Sequence, residues 1–92
     1  MANNLFVSCE LFRPEKNYDR IDLAINSICD ISVKVHFSLW CLKTSLSAKQ
    51  VCDQIKSAFD KNDSLIVIDT TNNQAAWINL KPEALKCLQD MS

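Results

Sequence analysis

The chain contains no glycine in its 92 residues, where average usage of about 7% predicts roughly six. That absence excludes Walker-type phosphate loops, dinucleotide fingerprints and glycine-rich nucleotide lids, because each needs backbone that a Cβ blocks. Proline is scarce too, at two residues, and His36 is the single histidine. Neither charge is in excess. Ten basic residues oppose eleven acidic ones, for a net charge of −1, so the field of the whole molecule does not draw it to polyanions or anionic membranes. No apolar run approaches the ~18 residues of a membrane span. The first residues, Met-Ala-Asn-Asn-Leu-Phe-Val, lack the basic stretch and long apolar core of an export signal. A cytoplasmic protein with no membrane partner is expected.

What is present suits one small α+β domain over residues 1–92. Apolar residues make up 48% and charged residues 23%, enough of both for an ordinary globule. The five cysteines, Cys9, Cys29, Cys41, Cys52 and Cys87, show neither a CxxC pair nor zinc spacing, and read as reduced thiols behaving as small hydrophobes.

Hydrophobic periodicity sets the element order. Leu5 to Phe12 predicts a strand with Leu5, Val7, Cys9 and Leu11 on one face and Phe6, Ser8, Glu10 and Phe12 on the other. Asn17 suits an N-cap for a helix from Tyr18 to about Cys29, whose Tyr18, Ile21, Ala24, Ile25 and Ile28 form a stripe while Asp19, Arg20, Asp22 and Asn26 face water. From Ile31 to Thr44 the period becomes two. Val33, Val35, Phe37 and Leu39 alternate with Ser32, Lys34, His36, Ser38 and Trp40. Fourteen residues exceed a usual strand, so two strands meeting near Ser38 to Cys41 are expected. Ser47 and Gln50 form a capping box, with Leu46 positioned to staple onto Val51, at the start of a second helix reaching Asp60. Leu65 to Ile68 predicts a central strand ending at Asp69, Asn72-Asn73 a turn, and Ala75 to Asn79 a further strand. Pro82 opens a last helix with Leu85, Leu88 and Met91 as its stripe.

The order β-α-β-β-α-β, with a C-terminal strand and helix, predicts a ferredoxin-like sandwich with both helices on one face of an antiparallel sheet. The other face is left bare. Phe6, Phe12 and Trp40 are expected there, and an apolar face of this kind buries itself against a second copy, giving a homodimer.

Chemistry-bearing residues are few. Glu10, near the end of the first strand on the bare face, is a candidate metal ligand for Mg²⁺ or Mn²⁺ if a two-fold axis supplies its mate, and otherwise a solvated rim residue. Asp69 either supplements it or caps the turn. His36, on the same alternate face as Lys34 and Ser38, has a side chain suited to proton transfer and is a candidate catalytic residue beside Glu10 and Ser38. Arg13, Lys16 and Arg20 cluster around the loop after the first strand and, with Lys34, are candidates for nucleic-acid phosphates.

The segments Leu5-Phe-Val-Ser-Cys-Glu-Leu11, Val35-His-Phe-Ser-Leu-Trp40 and Asn62-Asp-Ser-Leu-Ile-Val-Ile-Asp69 resemble, in order and spacing, the CRISPR-associated protein 2 family and its virulence-associated protein D relatives. The resemblance spans roughly Leu5 to Asn79. It implies a ferredoxin-like homodimer handling nucleic acid, whose members include metal-dependent endonucleases and a non-catalytic scaffold. Glu10 stands where the family motif carries the metal-associated aspartate, keeping the charge and moving the oxygens by one methylene. Two functions follow as expectations. One is a metal-dependent endonuclease using Glu10 with His36 and Ser38. The other is a non-enzymatic module whose dimer cleft holds a nucleotide, a nucleic-acid end or a protein partner.

Overall fold

The computed structural model describes residues 3–12, 18–29, 31–36, 38–72 and 74–80, with 82, 83 and 86. The elements run β1 (Asn3–Glu10), α1 (Asp19–Asn26), β2 (Ile31–His36), β3 (Leu39–Thr44), α2 (Ala48–Ile55), a 3₁₀ turn (Lys56–Ala58), β4 (Ser64–Asp69) and β5 (Gln74–Ile78). The strands form one antiparallel sheet in the order β2-β3-β1-β4-β5. This α+β arrangement is compatible with the ferredoxin-like expectation. No helix among the described residues is long and apolar enough to cross a membrane.

Alternation along β1 sends Leu5, Val7 and Cys9 into the core and leaves Phe6 and Glu10 exposed. Register carries that split across the sheet: Val7 lies between Trp40 and Val67, and Phe6 between Cys41 and Ile68. Ile21 and Ile25 of α1 join Val51, Cys52 and Ile55 of α2 in the same buried cluster as Leu5, Val7, Leu42, Leu65 and Val67. Both helices therefore cover one face.

The capping box forms as expected. Gln50 N–H donates to Ser47 Oγ at 3.1 Å, and Ser47 N–H donates to Gln50 Oε1 at 2.9 Å, a cap worth about 1 kcal/mol. The regular helix ends at Ile55 and tightens into the 3₁₀ turn, short of the expected Asp60. Asp69 caps the β4–β5 turn: its carboxylate accepts from the backbone N–H groups of Thr71 and Asn72 and from Asn72 Nδ2. Asn79 takes a left-handed backbone, with φ of 60°, a conformation asparagine tolerates better than most residues.

Three sequence expectations are corrected. Trp40 lies in the core on the helix face, opposite Val7, and not on the bare face. A buried indole needs an acceptor for its N–H, and Asp22 of α1 supplies it at 2.6 Å, so Asp22 does not simply face water. Period two groups residues by face without saying which face meets the helices, and in β3 Leu39 and Cys41 alternate with Trp40 and Leu42, so both sides offer apolar residues. Finally, the β2–β3 register shifts between Lys34 and His36, pairing Lys34 with Trp40 and His36 with Leu39. Adjacent β3 residues point opposite ways, so Lys34 and His36 occupy register positions on opposite faces.

Asn17 as a cap, Phe37, Asn73, Cys87 and the Leu85, Leu88, Met91 stripe lie outside the described residues. Pro82, Glu83 and Lys86 are helical.

Candidate functional site

Two grooves of about 420 Å³ each open on the surface. One lies between α2 and the edge strand β5, where the Lys49 ammonium is paired with the Asp53 carboxylate at 2.7 Å. The other lies at the end of β1 and β4 and is lined by Ser8, Cys9, Glu10, Leu11, Tyr18, Ser38, Ser64, Ile66 and Leu80. It holds the carboxylate and the hydroxyl singled out by sequence.

Each wall has a local cause. Glu10 pairs with Ser64 and Ser8 with Ile66 across the β1–β4 ladder, which puts Ser8, Glu10, Ser64 and Ile66 on the bare face. Ser38 sits in the β2–β3 turn, and its carbonyl accepts from Cys9 N–H at 3.1 Å, so the turn is tied to β1 beside Glu10. Tyr18 precedes α1 and stands 6.3 Å, ring to ring, from Trp40. Lys34 lies 3.6 Å from Asp22 and 5.6 and 5.3 Å from the Tyr18 and Trp40 ring centroids. Within this cluster the ammonium is attracted by two ring faces as well as by the carboxylate.

Asp63 shapes the same end of the molecule and was not singled out by sequence. It is buried, and its two carboxylate oxygens accept separately, Oδ1 from Phe12 N–H and Oδ2 from Asp60 N–H, both at 2.8 Å. It thereby clamps the exit of β1 onto the loop before β4. The only sequence cue was an acidic residue in a polar loop, and its principal partner lies far away in the chain.

Electrostatics disfavour a thiolate here. Burial pushes the Cys9 thiol up to about 12, aided by the negative charge of Asp63. The Tyr18 phenol is also raised, first by burial and then by its neighbours Cys9, Asp63 and Glu10. A neutral Cys9 makes a poor nucleophile, in keeping with its place in the core.

Of the expected catalytic residues, Glu10 and Ser38 line one groove, whereas His36 is exposed on the edge strand β2 outside that lining. Of the expected phosphate contacts, Lys34 is engaged within its own protomer, and Arg20 donates to the Ser57 carbonyl at 3.2 Å. Arg13 and Lys16 lie outside the described residues. Among the described residues no three His, Cys, Asp or Glu side chains gather as a metal site. Glu10 is the one carboxylate lining the groove among the described residues, and these by themselves do not fit a divalent ion that prefers several oxygen ligands.

No family model, curated protein or solved structure matches this chain.

Proposed function

We propose that this chain is a ferredoxin-like homodimer, joined through its bare sheet face, that holds a nucleotide or a nucleic-acid end in the groove beside Glu10 and Ser38. The supporting observation is the division of that face. Phe6, Ile31, Val33 and Ile68 form an exposed apolar area, while its far end carries Ser8, Glu10 and Ser64. Ile31 and Val33 are 59% and 58% exposed, and contiguous apolar surface of this kind marks an interaction site. A second copy related by a two-fold axis would present the same apolar residues to this face, which supports closure as a dimer. The four free thiols described, Cys9, Cys29, Cys41 and Cys52, support a reducing, cytoplasmic setting.

A near-neutral chain suits a small nucleotide or strand end better than a long duplex, which calls for a basic stripe. The segments that resemble the CRISPR-associated protein 2 family support the nucleic-acid reading. One observation favours a second reading. Glu10 belongs to the bare face, so a face-to-face dimer can offer two such carboxylates to Mg²⁺ or Mn²⁺, whose chemistry there would be activation of water for phosphodiester hydrolysis.

Incubation of the full chain with single-stranded RNA, duplex DNA and mononucleotides, with and without Mg²⁺ or Mn²⁺, separates the readings. Binding without turnover is expected. Metal-dependent cleavage abolished by Glu10→Gln would establish the second reading instead, and neither binding nor turnover would overturn both.

A further inference from the structure

The groove at the end of β1 has a chemical character that selects among the parts of a nucleotide. Its one charged lining residue is Glu10, and no lysine or arginine lines it among the described residues. A carboxylate only accepts, whereas the hydroxyls of Ser8, Ser38 and Ser64 both donate and accept. None of these four side chains has a hydrogen-bond or ion-pair partner among the described residues, so all four are available to a ligand. Among the described residues a phosphate placed here meets a carboxylate and no cation, which disfavours it. A ligand group bearing neighbouring O–H donors is matched instead.

We propose that the groove takes the sugar of a ribonucleoside, with its vicinal 2′- and 3′-hydroxyls donating to the two carboxylate oxygens of Glu10. The serines supply donors and acceptors to the remaining sugar oxygens. The Tyr18 ring and the side chains of Ile66 and Leu80 give the ribose carbons and the base an apolar surface. At about 420 Å³ the groove falls within the roughly 300–1,000 Å³ common for small-molecule sites. The 5′-phosphate then points out of the groove, away from Glu10. A ribose inside a strand has lost its 3′-hydroxyl to the phosphodiester, so the groove prefers a free ribonucleotide or the 3′ end of an RNA. The 2′-hydroxyl is the group that separates RNA from DNA. This inference rests on the nucleotide-binding reading above and specifies which part of the nucleotide is recognised.

The test titrates the full chain, by calorimetry or by amide chemical-shift changes, with adenosine 5′-monophosphate and its 2′-deoxy and 3′-deoxy counterparts, with uridine 5′-monophosphate to separate sugar from base. Loss of a hydrogen bond to a charged group is expected to weaken either deoxy compound about tenfold or more. Glu10→Gln retains one acceptor but loses the charge, and is expected to bring the ribonucleotides down to the wild-type deoxy level or below and to remove most of the gap between ribo and deoxy forms. Because Glu10 is exposed, an unchanged thermal midpoint checks that this variant is folded. Equal affinity for ribo and deoxy forms overturns the ribose assignment and leaves nucleotide binding standing. Absence of binding by every nucleotide and by RNA and DNA oligonucleotides overturns both.

Discussion

Trp40 Nε1 donates to Asp22 Oδ1 at 2.6 Å, joining the core strand β3 to α1 through a single side-chain hydrogen bond. The indole is almost fully buried, so its N–H depends on Asp22, whose other oxygen lies 3.6 Å from the Lys34 ammonium. Asp22→Ala leaves a buried N–H without its acceptor and is expected to cost about 1–3 kcal/mol. Trp40→Phe removes the donor and part of the core volume together. In a double-mutant cycle read by urea unfolding, the coupling should be about 1 kcal/mol or more; additive losses would show that the bond contributes little.

Asp63→Asn is expected to destabilise the protein by about 2 kcal/mol or more. Its two oxygens each accept from a different backbone N–H, Phe12 and Asp60, and an asparagine keeps one acceptor while turning a donor toward the other N–H. Hydrogen exchange at Phe12 and Asp60 should rise in the variant. Unchanged protection at both amides would contradict the clamp.

These two carboxylates show where the sequence stops being legible. Ser47 and Gln50 announced their helix start because a capping box is local, needing only residues three apart. Asp22 acts on Trp40 and Asp63 on Phe12, partners remote in the chain, and the local bond from Asp60 N–H to Asp63 does not reveal the clamp. Trp40 was placed on the wrong face because alternation groups residues by side without orienting the sheet. The β2 strand compounded this: its Val33 resembles core in sequence, yet an edge position and the open side leave it largely exposed. At the groove, Glu10 and Ser38 could be named from residue type and position. Their convergence with Ser8, Ser64 and Tyr18 depends on the β1–β4 register and on the tie between Ser38 and Cys9.

Assembly through the bare face is testable by charge. Val33→Asp is expected to shift the protein from dimer to monomer in light scattering without unfolding it, since Val33 is already solvated in the protomer. Leu23→Asp, at a still more exposed position on α1, should leave the assembly unchanged. Cys41 lies opposite Val33 in the same register row, so its thiol should be labelled faster in the Val33 variant than in the parent. A parent that is monomeric at all concentrations would remove the interface.

The raised pKa of Cys9 predicts a loss of stability in alkali. An unfolded thiol ionises near 9.0, whereas the folded one resists until about 12. Below 9.0 both states keep the proton and the stabilisation is complete. Between 9.0 and about 12 the unfolded state releases its proton first, so stability declines as pH rises through that window. The slope from this one group approaches about 1.4 kcal/mol per pH unit at most. Cys9→Val should flatten that part of a stability curve measured from pH 8 to 11, and an identical slope in the variant would exclude Cys9 as its source.

The central position of β1 has a consequence for how the chain is made. The strand leaves the ribosome before the other strands of this sheet, but one of its two neighbours, β4, follows only after α1, β2, β3 and α2. Until Ser64 to Asp69 have been synthesised, one flank of β1 offers unpaired backbone groups to any passing strand. Folding of this sheet must wait for β4, and a translation product cut short before it should aggregate rather than persist as a smaller domain.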